Sequence, residues 1–226
     1  MQTKVYVADV NALNDEKVFN YFYNLMSSDR QNKIDAYSLR KDKNLSLGAG
    51  ILLKVALSKI GLNLNEQTIE YRQNQKPYLL NSSIYFNISH SQDKVMCVLA
   101  DSEVGCDIEK IEDVNISVAK RYFNKQEYEI IKNQKQQVEK KFMFFRLWTL
   151  KESFLKITGL GGKLALDSFC FFFKEEAPEV LQNVNNKKYF FKEYSVVDGY
   201  AMACACEKDD FSDVEIIDLF KLYNNL

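Results

Sequence analysis

The chain has 226 residues, of which 46% are hydrophobic and 13% aromatic, enough for one large packed domain or two small ones. Its 30 basic and 31 acidic residues give a formal net charge of -1, which argues against a nucleic-acid coat or a polybasic membrane anchor. The 5 cysteines show no C-x-x-C spacing and there is 1 histidine, so a zinc site is hard to assemble.

The first half of the chain passes from helical to extended patterns. Residues 5–10 alternate as a strand does, and residues 16–26 and 45–60 place apolar side chains at helical spacing. Short β-branched or aromatic runs separated by turn residues then predict strands at residues 68–72, 84–88 and 95–100. The N-terminal segment lacks a signal-peptide pattern, and no apolar run approaches the roughly 18 residues that span a bilayer. We therefore expect a cytoplasmic protein that does not enter a membrane.

The second half repeats this order. Its patterns predict helices at residues 118–132 and 141–157, followed by strands at 169–173, 188–196 and 201–206. Because a helix followed by a hairpin occurs twice, we predict an α+β fold of two similar subdomains, a pseudo-twofold duplication. Each would be a small antiparallel sheet packed with a long helix, with residues 1–104 in one and 105–226 in the other. We expect the active site in the cleft between them.

Two acids stand two residues apart in the apolar segment GCDIEKIE, residues 105–112. In an extended strand, Asp107 and Glu109 point to the same face, where like charges repel unless a cation, a proton or a basic side chain intervenes. In the helix of residues 141–157, Trp148, Glu152 and Lys156 follow one another at steps of four. Glu152 and Lys156 could form an exposed ion pair on the helix surface. Alternatively, Glu152 is a third carboxylate, and Lys156 a basic group, of the site that contains Asp107 and Glu109. Three carboxylates are typical of Mg²⁺ sites.

The single histidine, His90, lies in the segment NISHS directly after a predicted strand. Strand ends that face a cleft commonly carry phosphate and substrate contacts, although a lone histidine is also commonly structural. Upstream, Lys76 precedes Pro77 in a turn whose backbone the proline restrains.

Three segments, in this order and at these separations, resemble 4'-phosphopantetheinyl transferases of the surfactin-synthetase type: NQKPYLLNSSIYFNISHS, VGCDIEKIE and LWTLKESFLKITGLGG. D-x-E followed about forty residues later by W-x-x-K-E-x-x-x-K is far more specific than either motif alone. The resemblance implies an enzyme of the large, pseudo-dimeric class. Such an enzyme moves the 4'-phosphopantetheine arm of coenzyme A onto a serine of an apo carrier protein and releases 3',5'-adenosine bisphosphate.

The resemblance also implies roles for individual residues. Asp107, Glu109 and Glu152 match ligands of Mg²⁺, with Mn²⁺ as an alternative. Glu152, Lys156 and His90 match catalytic positions, and Glu152 is our candidate base. The residues that match contacts with coenzyme A are Arg30, Lys33, Lys76, Ser89, His90, Lys151 and Lys156. Asn44 and Gln75 stand where the family often has arginine and glycine.

The implied partner is an acyl or peptidyl carrier protein, an acidic helical bundle. The segment ISVAKRYFNKQEY interleaves basic and apolar residues, and we expect docking near Lys120, Arg121, Tyr122, Phe123 and Lys125. The alternative is an amphipathic helix that packs these aromatic side chains into its own core. Since one chain would contain both halves of the site, we expect a monomer, and no nucleic-acid partner.

Two other functions remain open from the residues alone. The acids and lysines would also serve a Mg²⁺-dependent phosphohydrolase acting on a nucleotide or a pyrophosphate. A catalytically inactive module that binds coenzyme A or a carrier protein is the second. The sequence does not separate carriers of fatty-acid, polyketide and nonribosomal-peptide synthesis.

Overall fold

The computed structural model describes residues 1–175 and 177–225 of the chain. Its strands, numbered β1 to β11 in chain order, are Thr3–Asp9, Ile69–Tyr71, Pro77–Leu79, Tyr85–Ser91, Lys94–Ala100, Val104–Lys110, Cys170–Phe173, Pro178–Leu181, Phe190–Tyr194, Tyr200–Cys206 and Phe211–Ile217. Its α-helices, α1 to α7, are Glu16–Asn24, Ser28–Asp35, Arg40–Lys59, Ser117–Tyr122, Lys125–Lys132, Gln137–Thr158 and Leu219–Asn224. Within the described residues, no helix has both the length and the apolar character needed to cross a membrane.

The two longest helices, α3 and α6, each cover one face of a sheet. The first sheet has the strand order β11-β1-β5-β4 and the second has the order β6-β10-β9. Leucines of α3 share a core with β1 and β5, whereas Leu147 and Phe154 of α6 share a core with β9 and β10. A third core, containing Val98 and Met202, lies between the two sheets. The layers therefore run helix, sheet, sheet, helix, which confirms the predicted α+β fold with two similar subdomains.

The last strand and helix pack with the first half of the chain. β11 pairs in parallel with β1, whereas the other pairs in the two sheets are antiparallel. Ile217 and Leu219 are buried in the core under α3. The assignment of this terminal segment to the subdomain of residues 105–226 was therefore wrong, and the division after residue 104 otherwise stays a prediction.

The helix predicted at residues 118–132 is two helices, α4 and α5. The break falls at Asn124, whose side chain accepts a hydrogen bond from the backbone N–H of Gln126. Glu127 reaches back to accept from the backbone N–H of Asn124, which completes a capping box. Because this arrangement starts a new helix, α4 and α5 can take different directions around the buried ring of Phe123.

Candidate active site

The two acids of GCDIEKIE lie on β6 and face α6. Cys106 and Ile108 are buried between the two sheets, so the alternation of the strand turns Asp107 and Glu109 to the opposite face. α6 approaches this face closely because residue 105 is glycine. A Cβ there would lie 2.6 Å from the backbone nitrogen of Ile157. The sequence thereby places Glu152 and Lys156 of α6 beside the strand that carries the acids.

Asp107 is the centre of the polar contacts. Its Oδ1 accepts hydrogen bonds from Lys156 Nζ at 2.6 Å and from Ser89 Oγ at 2.7 Å. Lys156 Nζ also donates to Ser89 Oγ and to the carbonyl oxygen of Cys106, both at 2.9 Å. Burial lowers the pKa of Lys156, but Asp107, Cys106 and Glu152 together outweigh burial and leave that pKa raised. This ammonium is therefore charged, and it fixes one oxygen of Asp107.

The other two acids share this desolvated space. Glu109 Oε2 accepts a hydrogen bond from Ser91 Oγ at 2.7 Å. Burial raises the pKa of Glu109, against the effect of the Ser91 hydroxyl, and Asp107 raises it further. Burial and then Asp107 also raise the pKa of Glu152. Each of these carboxylates is destabilised in its charged form, which a cation would relieve.

These residues fit a hard divalent cation. Asp107 Oδ2 is buried and has no hydrogen-bond partner among the residues that the structure describes, although a buried carboxylate oxygen without a partner is costly. Carboxylate oxygens are the ligands that Mg²⁺ and Mn²⁺ prefer. Across residues 1–175 and 177–225, no three acidic, histidine or cysteine side chains converge closely enough to hold an ion. In this structure Lys156 and Ser91 engage two of the three carboxylates instead.

A cavity of about 540 Å³ opens beside this cluster, between α2, α3 and β4. Arg30, Lys33 and His90, three of the predicted contacts with coenzyme A, line it together. Burial, followed by the charge of Lys156, lowers the pKa of His90 below its usual value, so the imidazole is neutral near pH 7.

The Arg30 side chain is held at the wall of this cavity. Arg30 Nη2 donates to the carbonyl oxygen of Ser46. Arg30 Nε and Ser46 Oγ are buried without hydrogen-bond partners among the described residues. Two unsatisfied donors in one wall suit an anion. The sequence analysis did not single out Ser46, since a serine inside an apolar helix has no distinctive pattern. Its contact with Arg30 depends on the packing of α2 against α3.

Comparison with known proteins decides the family. A model described as the 4'-phosphopantetheinyl transferase superfamily matches residues 103–205, and one described as 4'-phosphopantetheinyl transferase, N-terminal, matches residues 14–103. The 4'-phosphopantetheinyl transferase gsp of Aneurinibacillus migulanus is 33% identical over 211 residues, 92% of this chain and 86% of its own length. The chain belongs to the 4'-phosphopantetheinyl transferase family.

Two further proteins are similar to this transferase over different lengths. The 4'-phosphopantetheinyl transferase Sfp of Bacillus subtilis (strain 168) is 29% identical over 203 residues, 87% of this chain and 89% of its own. The solved holo-[acyl-carrier-protein] synthase of Thermotoga maritima aligns with a TM-score of 0.39 at 21% identity, covering 46% of this chain and 61% of its own. The predicted enzyme class, and coenzyme A as its substrate, are confirmed by the family.

Two lysines expected to contact coenzyme A in the transferase are used within the protein. Lys76 Nζ binds Glu103 and the carbonyl oxygen of Val104, both at 2.9 Å, and its side chain is 8% exposed. Burial lowers the pKa of Lys76, and Glu103 opposes this effect. The neighbouring Gln75 has a φ of 65°, a left-handed conformation that glycine, often found there in the family, adopts without strain. In this structure the Lys76 ammonium thus joins this turn to the start of β6, and its contact with coenzyme A stays a prediction.

For Lys151, full burial of the side chain does contradict the predicted contact. Its side chain is fully buried and donates to the carbonyl oxygens of Leu166 at 2.8 Å and Phe169 at 3.1 Å. Its ammonium also forms an ion pair with Glu127 at 2.7 Å. Sequence reasoning missed Glu127, although its position in the capping box of α5 was a readable signal. Lys151 therefore joins α6 to α5 and the segment before β7, and the predicted contact with coenzyme A was wrong.

This correction predicts that the Lys151→Met variant loses stability and keeps its affinity for coenzyme A. Removing one partner of a buried ion pair leaves a buried carboxylate without compensation, so we expect a loss of about 3 kcal/mol in the free energy of unfolding. Urea denaturation measures this loss, and calorimetric titration measures coenzyme A affinity of the folded variant.

The matched control is the double variant Lys151→Met with Glu127→Gln. A neutral amide still accepts from the backbone N–H of Phe171, as Glu127 does at 2.8 Å, so the double variant should recover about half of the lost stability. Unchanged stability together with weakened coenzyme A binding would restore the original assignment of Lys151.

The predicted docking segment is only partly exposed. Lys120, Arg121 and Lys125 are exposed, and the Tyr122 side chain is 47% exposed. Phe123 is 4% exposed, and its ring stacks on Phe144 at 5.5 Å between ring centroids. The prediction of a docking contact by Phe123 was therefore wrong, because this ring belongs to the core under α6.

Proposed function

We propose that the transferase moves the 4'-phosphopantetheine arm of coenzyme A to a serine of an apo carrier protein in a Mg²⁺-dependent reaction. The observation that carries the proposal is the cluster of Asp107, Glu109 and Glu152 with Lys156, next to a cavity lined by His90. The cluster suits a pyrophosphate and its cation, and the cavity suits a nucleotide.

In the cavity, Arg30, Lys33 and His90 would bind the phosphates at the nucleotide end of coenzyme A, with Ser46 Oγ as an additional contact. Support comes from the two unsatisfied polar atoms, Arg30 Nε and Ser46 Oγ. A neutral His90 donates one hydrogen bond to a phosphate oxygen without adding charge. Ser89 has its hydroxyl turned to Asp107, so we assign it to orienting that carboxylate.

The reaction forms a bond between the serine oxygen and the β-phosphorus of coenzyme A and breaks the bond from that phosphorus to the bridging oxygen. The leaving group, 3',5'-adenosine bisphosphate, departs with the electron pair. Lys156 and His90 would donate hydrogen bonds to oxygens that gain negative charge. Glu152 is the carboxylate that would accept the serine proton. Mg²⁺ or Mn²⁺, held by Asp107, Glu109 and Glu152, supplies charge neutralisation at the pyrophosphate when bound.

Intact-protein mass spectrometry tests the reaction. Apo carrier proteins of fatty-acid, polyketide and nonribosomal-peptide synthesis are incubated with the transferase, coenzyme A and Mg²⁺, with an EDTA control. A gain of one phosphopantetheine on any carrier, abolished by EDTA, supports the proposal. Bisphosphate released without a modified carrier would favour the phosphohydrolase, and coenzyme A bound without turnover would favour an inactive binding module.

We place carrier docking at Lys120, Arg121, Tyr122 and Lys125. If the carrier surface is acidic, the double variant Lys120→Glu with Arg121→Glu should raise the KM for the carrier about tenfold, since like charges then face each other. Coenzyme A affinity should not change. Lys221→Glu on α7 is the control, because this exposed lysine lies on a helix packed with the other subdomain. A carrier KM within twofold of wild type contradicts this docking surface.

We also propose that the enzyme acts as a cytoplasmic monomer. One chain supplies His90 from the first half and Asp107 and Lys156 from the second, which supports a site complete within a single subunit. Light scattering across the range of assay concentrations tests this: activity lost on dilution to monomers would contradict it. The five cysteines are all buried free thiols, which suits a reducing compartment.

A further inference from the structure

β4 and β6 lie at the edges of different sheets, and side chains of β4 join them. Asn87 Oδ1 accepts a hydrogen bond from the backbone N–H of Cys106 at 2.9 Å. Ser91 Oγ accepts one from the backbone N–H of Lys110 at 3.2 Å. The backbone N–H groups of Cys106 and Lys110 on β6 are therefore satisfied by side chains of β4. We call Asn87, Ser89 and Ser91 the seam residues.

Two of the seam residues also donate hydrogen bonds to the two acids of β6. Along β4, Ser89 donates to Asp107 Oδ1 and Ser91 donates to Glu109 Oε2, both at 2.7 Å. The two serines are two residues apart on β4 and the two acids are two residues apart on β6. Because side chains of an extended strand alternate with a period of two, each serine faces one acid. The seam thus orients each acid of the D-x-E motif with one hydroxyl.

The Ser91 hydroxyl makes one hydrogen bond as an acceptor and one as a donor. Its lone pair accepts from the backbone of β6, and its single hydrogen goes to Glu109. Glu109 is a long side chain with several rotatable bonds, and the charges of Asp107 and Glu152 repel it. Without the Ser91 hydroxyl, these charges would favour rotamers that carry the Glu109 carboxylate away from Asp107.

We propose that Ser91 is a positioning residue that holds the Glu109 carboxylate for the divalent cation of the transfer reaction. This inference rests on the proposed function. Groups that orient a metal ligand through hydrogen bonds commonly change metal affinity tenfold or more when they are removed.

The test compares Ser91→Ala, Ser91→Thr and wild type in titrations with Mn²⁺ alone, followed by electron paramagnetic resonance. Ser91→Ala should bind Mn²⁺ about tenfold more weakly, and the Mg²⁺ concentration for half-maximal transfer should rise by a similar factor. Ser91→Thr, which keeps the hydroxyl, should bind Mn²⁺ as wild type does. The control is Ser102→Ala, a buried serine whose hydroxyl contacts Cys206 Sγ instead of an acid.

The outcomes separate this inference from the proposed function. Wild type that binds no Mn²⁺ contradicts the metal-dependent function, and the positioning role falls with it. Wild type that binds Mn²⁺ with an equally tight Ser91→Ala overturns only the positioning role. Thermal unfolding of each variant shows whether weaker binding reflects a less stable fold. A Ser91→Thr variant as weak as Ser91→Ala would also overturn the inference, because the hydroxyl would then not be the group that matters.

Discussion

The Asp107→Asn variant is expected to lose transfer activity, with kcat/KM lower by about a thousandfold. Asp107 is at the centre of the polar contacts. Its Oδ1 binds Lys156 and Ser89, and its Oδ2 is buried without a partner among the described residues. An amide keeps the shape but removes the charge that both a cation and Lys156 require. The rate of carrier modification, followed by mass spectrometry at saturating Mg²⁺, measures the effect.

Asp113→Asn is the matched control, since Asp113 follows the same strand and its carboxylate is exposed and paired with Lys141. It should retain wild-type transfer. Calorimetric titration with coenzyme A keeps binding separate from chemistry, and Asp107→Asn should still bind the nucleotide end through Arg30 and His90. A variant at Asp107 with transfer within threefold of wild type would show that the reaction does not use this cluster.

Most of this cluster could be predicted from local periodicity. The period of two along β6 places Asp107 and Glu109 on one face, and the step of four places Glu152 and Lys156 on one side of α6. Each of these two spacings lies within one secondary-structure element, so it does not depend on how the elements pack together. The two sheets with one long helix each could be predicted for the same reason.

Residues whose partners come from another element could not be placed this way. Lys151 stands five positions before Lys156, about 140° around the helix at 3.6 residues per turn. Its assignment to the same site therefore conflicted with the helical period, and its buried partner Glu127 was visible only once α5 packed on α6. Phe123 and the parallel pairing of β11 with β1 depend equally on long-range contacts.

Ser46 and Ser91 show a second limit of sequence reasoning. Serine is small and common, and no spacing marks it as functional. The role that we propose for each depends on a neighbour from another element: Arg30 of α2 for Ser46, and Glu109 of β6 for Ser91. Side chains that orient a charged group are thus harder to predict than the charged group itself.

The Lys156→Met variant is expected to separate cation binding from transfer. The ammonium lies 2.6 Å from Asp107 Oδ1, so it would compete with a cation for that carboxylate and repel the cation. Removing it should tighten Mn²⁺ binding to the protein without coenzyme A about tenfold, since one like charge is lost. Transfer should fall about a hundredfold, because a donor to the charged oxygens of the phosphates is missing. Titration with Mn²⁺ and the carrier assay measure the two effects.

Stability supplies an independent readout of the same competition. Without Lys156, the buried Asp107 carboxylate has no cationic partner among the described residues, so the metal-free variant should unfold at a lower temperature than wild type. Mn²⁺ should then raise the unfolding temperature of the variant more than that of wild type, since tighter binding to the folded state stabilises it more. Lys163→Met, an exposed lysine just beyond α6, is the control and should change neither property. If Lys156→Met binds Mn²⁺ no more tightly than wild type, Lys156 and the cation do not compete for Asp107, and the ammonium acts on the phosphates alone.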